Sequence, residues 1–360
     1  LSHFLINSKI RRTIKKVKKI NKKFNNKELD KIKDKFGFEL TNDQKNAIEQ
    51  INNDLKSNHK MFRLLQGDVG SGKTIVALIA SANVISSGFQ VSFMAPTEIL
   101  AKQHYTLTKK LFDNNINIKI LTSKTDLRER KEILKDLSDN KINILIGTHS
   151  LFQEKIQYSN LGLIVIDEQH KFGVKQRKKL SDKGGKNCDV LVMSATPIPR
   201  TMIMTIFGDM DTSIIKTKPK NRKEIKTYSK LETKTNEVIK FIKKKIGQKN
   251  QVFWVCPLIE ESKKVDHQSS VARFHDLKKI FKNKVGLLHG ALSKEDKNNI
   301  LLNFLNKKID ILVSTTVIEV GIDFPSANII IIENANKFGL SQLHQLRGRV
   351  GRGDKESYCI

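Results

Sequence analysis

Long apolar runs are missing from this 360-residue chain. No stretch approaches the roughly 18 consecutive apolar residues that a membrane-crossing helix needs, and Leu1-Ser2-His3-Phe4 carries no secretory pattern. A soluble, cytoplasmic protein with no membrane partner is the expectation. Cysteine is scarce as well: Cys188, Cys256 and Cys359 lie far apart, with no Cys-x-x-Cys pair. That spacing argues against a disulfide framework or a zinc site and leaves reduced, buried thiols. Arginine is the third scarcity. Of 66 basic residues only 12 are Arg, yet Arg347, Arg349 and Arg352 fall within six positions. A guanidinium fork is hard to replace by an ammonium where phosphate geometry matters, so this cluster says more than the formal net charge of +29. Most of that charge is lysine in a chain rich in Asn and Ile throughout, and on its own it points only weakly to nucleic acid.

What is present is enough for two lobes: 38% apolar residues over a length that suits two ordinary domains. Residues 1–35 hold 13 Lys/Arg against three acids, with Ile10, Ile14, Val17 and Ile20 near a helical period. A basic helix from an upstream domain and a solvated linker both fit. The first residue is not Met and Ile360 ends an apolar run, which reads as a piece of a longer protein. From residue 36 to 215 short apolar strands alternate with helices. Strands are expected at Met61–Leu65, Gln90–Ala95, Asn117–Thr122, Ile142–Ile146, Leu163–Ile166 and Val190–Met193. The polar segment Lys216–Lys226 reads as a linker, and a second lobe, 216–360, repeats the alternation up to a last clear strand at Ile329–Ile332. Strands apolar throughout, separated by helices, predict parallel sheets covered on both faces, with ligands at the carboxyl ends of strands.

One loop organises the rest. Gly67-Asp68-Val69-Gly70-Ser71-Gly72-Lys73-Thr74 follows a strand and opens a helix, so its amides, the helix dipole and Lys73 suit the phosphates of ATP, and Thr74 suits Mg2+. Asp167 and Glu168 follow an apolar strand. Asp167 is a candidate magnesium holder and Glu168 the residue that orients and deprotonates the attacking water. Arg349 and Arg352 are candidates to neutralise charge developing on the γ-phosphate. Thr41-x-x-Gln44 is a capping box, and Gln44, with Phe38 before it, also fits adenine recognition; the residues leave both open. Ser194 and Thr196, small hydroxylated residues at a strand end, suit a relay of nucleotide state. Pro96, Thr97, Thr122, Thr148, His149, His289, Thr315 and Thr316 are polar strand ends whose hydroxyls and amides suit a nucleic-acid backbone.

Taken in order, these motifs resemble a superfamily 2 helicase motor. The strings Asp167–Arg177, Trp254–Ser262 and Glu333–Arg347 narrow the resemblance to the RecG family of ATP-dependent DNA helicases, over about residues 36–358. The transcription-repair coupling translocases, which usually carry a second Glu where Gln169 stands, and RNA helicases of the superfamily are the alternatives. The resemblance implies an α/β fold of two RecA-like lobes, ATP and Mg2+ as cofactors, and branched or duplex DNA as partner. It also implies a monomer that, at full length, meets single-stranded-DNA-binding protein. It turns Gln44 toward adenine, with the cap as a second role, and gives Gly321 and Asp323 to the nucleotide and Gln345 to coupling. A wedge domain upstream and a coupling segment downstream belong to the family pattern.

Overall fold

Because their strands are apolar at nearly every position, both sheets have to be buried on two faces, and this is how they pack. A computed structural model describes residues 18–24, 27–37, 39–153, 155–167, 185–194, 210–217, 224–257, 263–315, 324–351 and 355–360. The chain divides into two compact units, Leu1–Pro219 and Lys220–Ile360.

In the first unit the described elements are α1 (Lys27–Phe36), α2 (Asn42–Lys56), β1 (Phe62–Gly67), α3 (Lys73–Ser86), β2 (Gln90–Met94), α4 (Glu98–Leu111) and β3 (Ile118–Leu121). They continue with α5 (Leu127–Ser138), β4 (Ile144–Gly147), β5 (Leu161–Asp167), β6 (Asp189–Ser194) and β7 (Asp211–Ile215). The seven strands lie in the order β3-β4-β2-β5-β6-β1-β7, every pair parallel. Side chains alternate between two cores. Leu163 and Val165 join α1, α2, α3 and α4 on one face, while Ile164 and Ile166 join Ile133 and Leu137 of α5 on the other. By the same parity Asp167, the last residue of β5, faces the side where α4 packs.

The second unit comprises β8 (Ile225–Thr227), α6 (Thr235–Gly247), β9 (Gln251–Val255), α7 (Lys263–Phe281), β10 (Val285–Leu288), α8 (Lys294–Leu305), β11 (Ile311–Ser314), β12 (Ala327–Ile332), α9 (Leu340–Arg347) and β13 (Ser357–Cys359). Its strand order is β10-β11-β9-β12-β13-β8, again parallel throughout. Val252 and Trp254 face the α6 side with Val238 and Ile242; Phe253 turns the other way, onto Phe304 and Phe324. The three cysteines are free and buried, and burial pushes the Cys188 thiol up to about 12. Among the described residues no helix is long and apolar enough to cross a membrane.

Three expectations are corrected. Lys216–Lys226 is not linker throughout: the backbone amides of Thr217 and Lys216 donate to Asp43 at 2.8 and 2.9 Å, holding that carboxyl below its usual range, and Ile225 begins β8. Ile329–Ile332 is not the last strand, since β13 follows and pairs with both β12 and β8. Nor are residues 18–24 a helix or a wholly solvated linker. Lys19 and Lys22 are buried, and their ammonium groups share Asp189, with Lys19 Nζ 2.7 Å from both carboxylate oxygens and Lys22 Nζ 2.6 Å from Oδ2. Asp189 also accepts the Met61 amide at 2.7 Å. Burial pulls the Lys19 ammonium below the ordinary lysine value, against the opposing pull of Asp189.

Two buried cations on one carboxylate give a sharp mutational expectation. Asp189→Asn leaves both ammonium groups uncompensated and lowers unfolding stability by about 3–5 kcal/mol, read from the urea midpoint. Joint replacement by Asp189→Leu, Lys19→Met and Lys22→Met recovers most of that loss. A cost below about 1 kcal/mol for Asp189→Asn contradicts the assignment.

Candidate functional site

β1 delivers the chain to a loop that only glycine builds. Gly70 and Gly72 have φ of 78° and 88°, in the left-handed region. A Cβ on Gly67 would stand 2.6 Å from Ser71 Oγ, and one on Gly72 would stand 2.2 Å from Gln44 Nε2. The loop turns back through Ser71 N–H to the Asp68 carbonyl at 3.0 Å, and α3 begins at Lys73. Lys73 is buried, and its Nζ donates to the carbonyls of Gly67 at 2.6 Å and Asp68 at 2.9 Å, so its charge lies inside the loop curve. Thr74, half-buried, occupies the next position of the helix. Amides at a helix N-terminus, an inward ammonium and a tight turn that neighbouring protein atoms close to any residue but glycine match the chemistry of a triphosphate cradle.

Gln44 holds this loop from the side. Its Oε1 accepts the Thr41 amide at 2.9 Å and its Nε2 donates to the Ser71 carbonyl at 2.8 Å, while the Gln44 amide donates to Thr41 Oγ1 at 3.3 Å. The capping box is therefore formed, and the Gln44 side-chain amide also ties α2 to the phosphate loop. Adenine recognition through Gln44 requires exchange of these bonds.

The remaining candidates of the first unit line the carboxyl edge of its sheet. Thr122 follows β3, Thr148 follows β4, Pro96 and Thr97 follow β2, Asp167 and Ser194 end β5 and β6, and Gly67 ends β1. Thr97 is the N-cap of α4, accepting the Leu100 amide at 3.3 Å. Asp167, 7% exposed, places Oδ2 2.9 Å from Nε2 of His104, which is 5% exposed on α4. Sequence reasoning missed His104. Its signal was present as one polar member of the stripe Leu100, His104, Thr108 and Leu111, spaced to lie on one helix face.

In the second unit His289 follows β10 and Thr315 follows β11, both buried. Gln345 sits on α9, two residues before that helix ends, and Arg349 follows it, 5% exposed. Gly351, with φ of 78°, passes close to Ile225 of β8, where a Cβ would meet Ile225 Cγ1 at 3.1 Å. Glu168, Arg352, Phe38, Gly321, Asp323, Thr196 and Thr316 lie outside the described residues, as does the side chain of His149.

Known proteins bear on this geometry. A family model described as DEAD/DEAH box helicase matches residues 41–205, and one described as helicase conserved C-terminal domain matches 233–354. A solved structure of Mss116p bound to single-stranded RNA and AMP-PNP shares the fold, with a TM-score of 0.66 at 21% identity over 93% of this chain and 72% of that one. Two parallel-sheet units, the first carrying a phosphate loop, define a superfamily 2 helicase motor. The ATP-dependent DNA helicase RecG of Thermotoga maritima is 49% identical over 98% of this chain and 45% of its own length, and that of Bacillus subtilis 47% over 95% and 50%. A structure of RecG bound to a three-way DNA junction superposes with a TM-score of 0.88 at 45% identity, covering 99% of this chain and 48% of that one. The chain belongs to the RecG family. It spans about half the length of the curated relatives it matches.

Proposed function

We propose that this chain is the motor of an ATP-dependent DNA helicase that moves on duplex DNA and remodels branched DNA, stalled forks and Holliday junctions among them, in recombination and repair. The observation that carries the reading is the phosphate loop with Lys73 turned inward, on the same sheet edge as a buried Asp167 two strands away. Two strand spacings are about 10 Å, the distance a triphosphate and its metal need to bridge.

In this mechanism the loop amides and Lys73 hold the phosphates, Thr74 and Asp167 hold the metal, and Phe38 and Gln44 take the base. Glu168 orients water and accepts its proton. Arg349 and Arg352 neutralise the charge that develops on transfer. Gly321 and Asp323 complete nucleotide contacts, and Ser194, Thr196 and Gln345 relay the state of the site. Bound MgATP supplies the phosphoanhydride whose cleavage drives movement. Pro96, Thr97, Thr122, Thr148, His149, His289, Thr315 and Thr316 hold backbone phosphates without reading sequence. The working form is a cytoplasmic monomer, with single-stranded-DNA-binding protein a partner at full length.

The test is ATP turnover of the full-length protein, followed by phosphate release, with branched DNA, linear duplex and RNA at equal nucleotide concentration. Branched DNA is expected to stimulate most. Stronger stimulation by RNA removes the DNA reading and favours an RNA helicase.

A further inference from the structure

Across the carboxyl edge of the first sheet the candidate residues separate by strand. Those suited to nucleic acid sit on the adjoining strands β3, β4 and β2, as Thr122, Thr148 and Pro96-Thr97; those suited to the nucleotide, or in the case of Ser194 to relaying its state, sit on β5, β6 and β1, as Asp167, Ser194 and the loop from Gly67. The border falls between β2 and β5, paired at Met94 and Ile166.

One side chain crosses it. α4 starts with Thr97 as its cap, on the nucleic-acid half, and seven residues further along, about 10 Å of helix, His104 meets Asp167 on the nucleotide half. Contacts hold both the ring and the helix backbone at His104. Its ring packs on Phe93 of β2, with centroids 4.7 Å apart and planes at 48°, and its backbone carbonyl accepts the Thr108 hydroxyl at 2.6 Å. With Asp167 Oδ2 2.9 Å from this ring's Nε2, Oδ1 is the carboxylate oxygen that would remain for a metal. Ligands oriented in this way by an outer partner owe that partner a large share of their affinity.

Resting on the motor reading above, we propose that His104 is a positioning residue that couples DNA contact to the metal-holding carboxylate. A helix transmits displacement along its length as a rigid element. DNA seated against Pro96 and Thr97 therefore shifts His104, and with it the orientation of Asp167. The same bond carries the effect in reverse, because coupling between two binding events is reciprocal. A buried aspartate merely satisfied by a histidine would need no particular helix to supply it. The helix that does so begins in the other half of the site.

The experiment uses the full-length protein and binding readouts beside turnover. A fluorescent ATP analogue is titrated against Mg2+ with and without a DNA junction, and junction affinity is measured by anisotropy. His104→Phe keeps the ring against Phe93 and removes the donor; His104→Asn is too short to reach Asp167; His104→Gln restores a donor of similar reach. The expected result is that Phe and Asn raise the Mg2+ concentration for half-maximal analogue binding about tenfold. Both also bring the DNA-dependent change in analogue affinity close to one, at wild-type junction affinity, and Gln recovers most of that change. Should Phe fail to fold, Asn decides. Wild-type Mg2+ dependence and wild-type DNA coupling in a folded Phe or Asn variant overturn the proposal, and so does weakened Mg2+ binding with coupling intact. If the wild-type protein itself shows no coupling between DNA and nucleotide, it is the motor reading that fails.

Discussion

Replacing Lys73 with alanine is expected to cut ATP turnover sharply and to weaken nucleotide binding. In the folded loop the Lys73 ammonium donates to the carbonyls of Gly67 and Asp68, which lie on either side of the strand end. It thus serves as an internal strut of the backbone curve, and on the proposed function it is also the cation for the outer phosphates. Alanine removes both roles, leaving two carbonyls without their donor and a phosphate site without its charge. By analogy with loss of one electrostatic donor at a reacting centre, kcat falls on the order of 10²–10³, and loss of a charge-assisted contact weakens binding about tenfold or more. Lys73→Arg does not rescue, since a planar fork cannot enter a curve closed by Gly67 and Gly72. Phosphate release and titration with a fluorescent ATP analogue check both effects. Turnover within about twofold of the parent would show that Lys73 is structural only.

Legibility followed physical scale. The long, two-face-buried strands were readable because β5 or β9 is apolar at every position that matters, and the phosphate loop was readable because glycines at 67, 70 and 72 have no other economical reason to stand between a strand and a helix. The edge elements were not. β7 alternates between buried and exposed positions along Asp211–Ile215, and β8 and β13 have three residues each, too few for any period to register. They exist because neighbouring backbones offer partners: Tyr228 N–H donates to the Cys359 carbonyl and Ile360 N–H to the Ile330 carbonyl, both at 2.9 Å. Lysines 19 and 22 looked like solvated charge because nothing local indicates that Asp189, some 170 residues away, waits to receive them. His104 was hidden for the same reason. Its meaning depends on the parity of β5 and on which helix covers that face, both tertiary facts. Gln44 shows the converse case, in which local chemistry, the capping box, and a long-range bond to Ser71 coexist in one side chain.

The proposed function gives Arg349 a role in hydrolysis rather than in nucleotide binding. Arg349 is its most direct probe. It follows α9 through Gly348, is 5% exposed, and belongs to the densest group of arginines in a lysine-rich chain. A buried guanidinium is costly to desolvate and is kept where its fixed fork is needed. The deciding measurement is single-turnover hydrolysis by full-length Arg349→Ala, beside analogue binding and the thermal midpoint. The account predicts analogue affinity close to the parent's and a fall in the hydrolysis rate on the order of 10³–10⁵, the range set by arginines that act on a transferring phosphoryl group. Undiminished hydrolysis in the folded variant contradicts it.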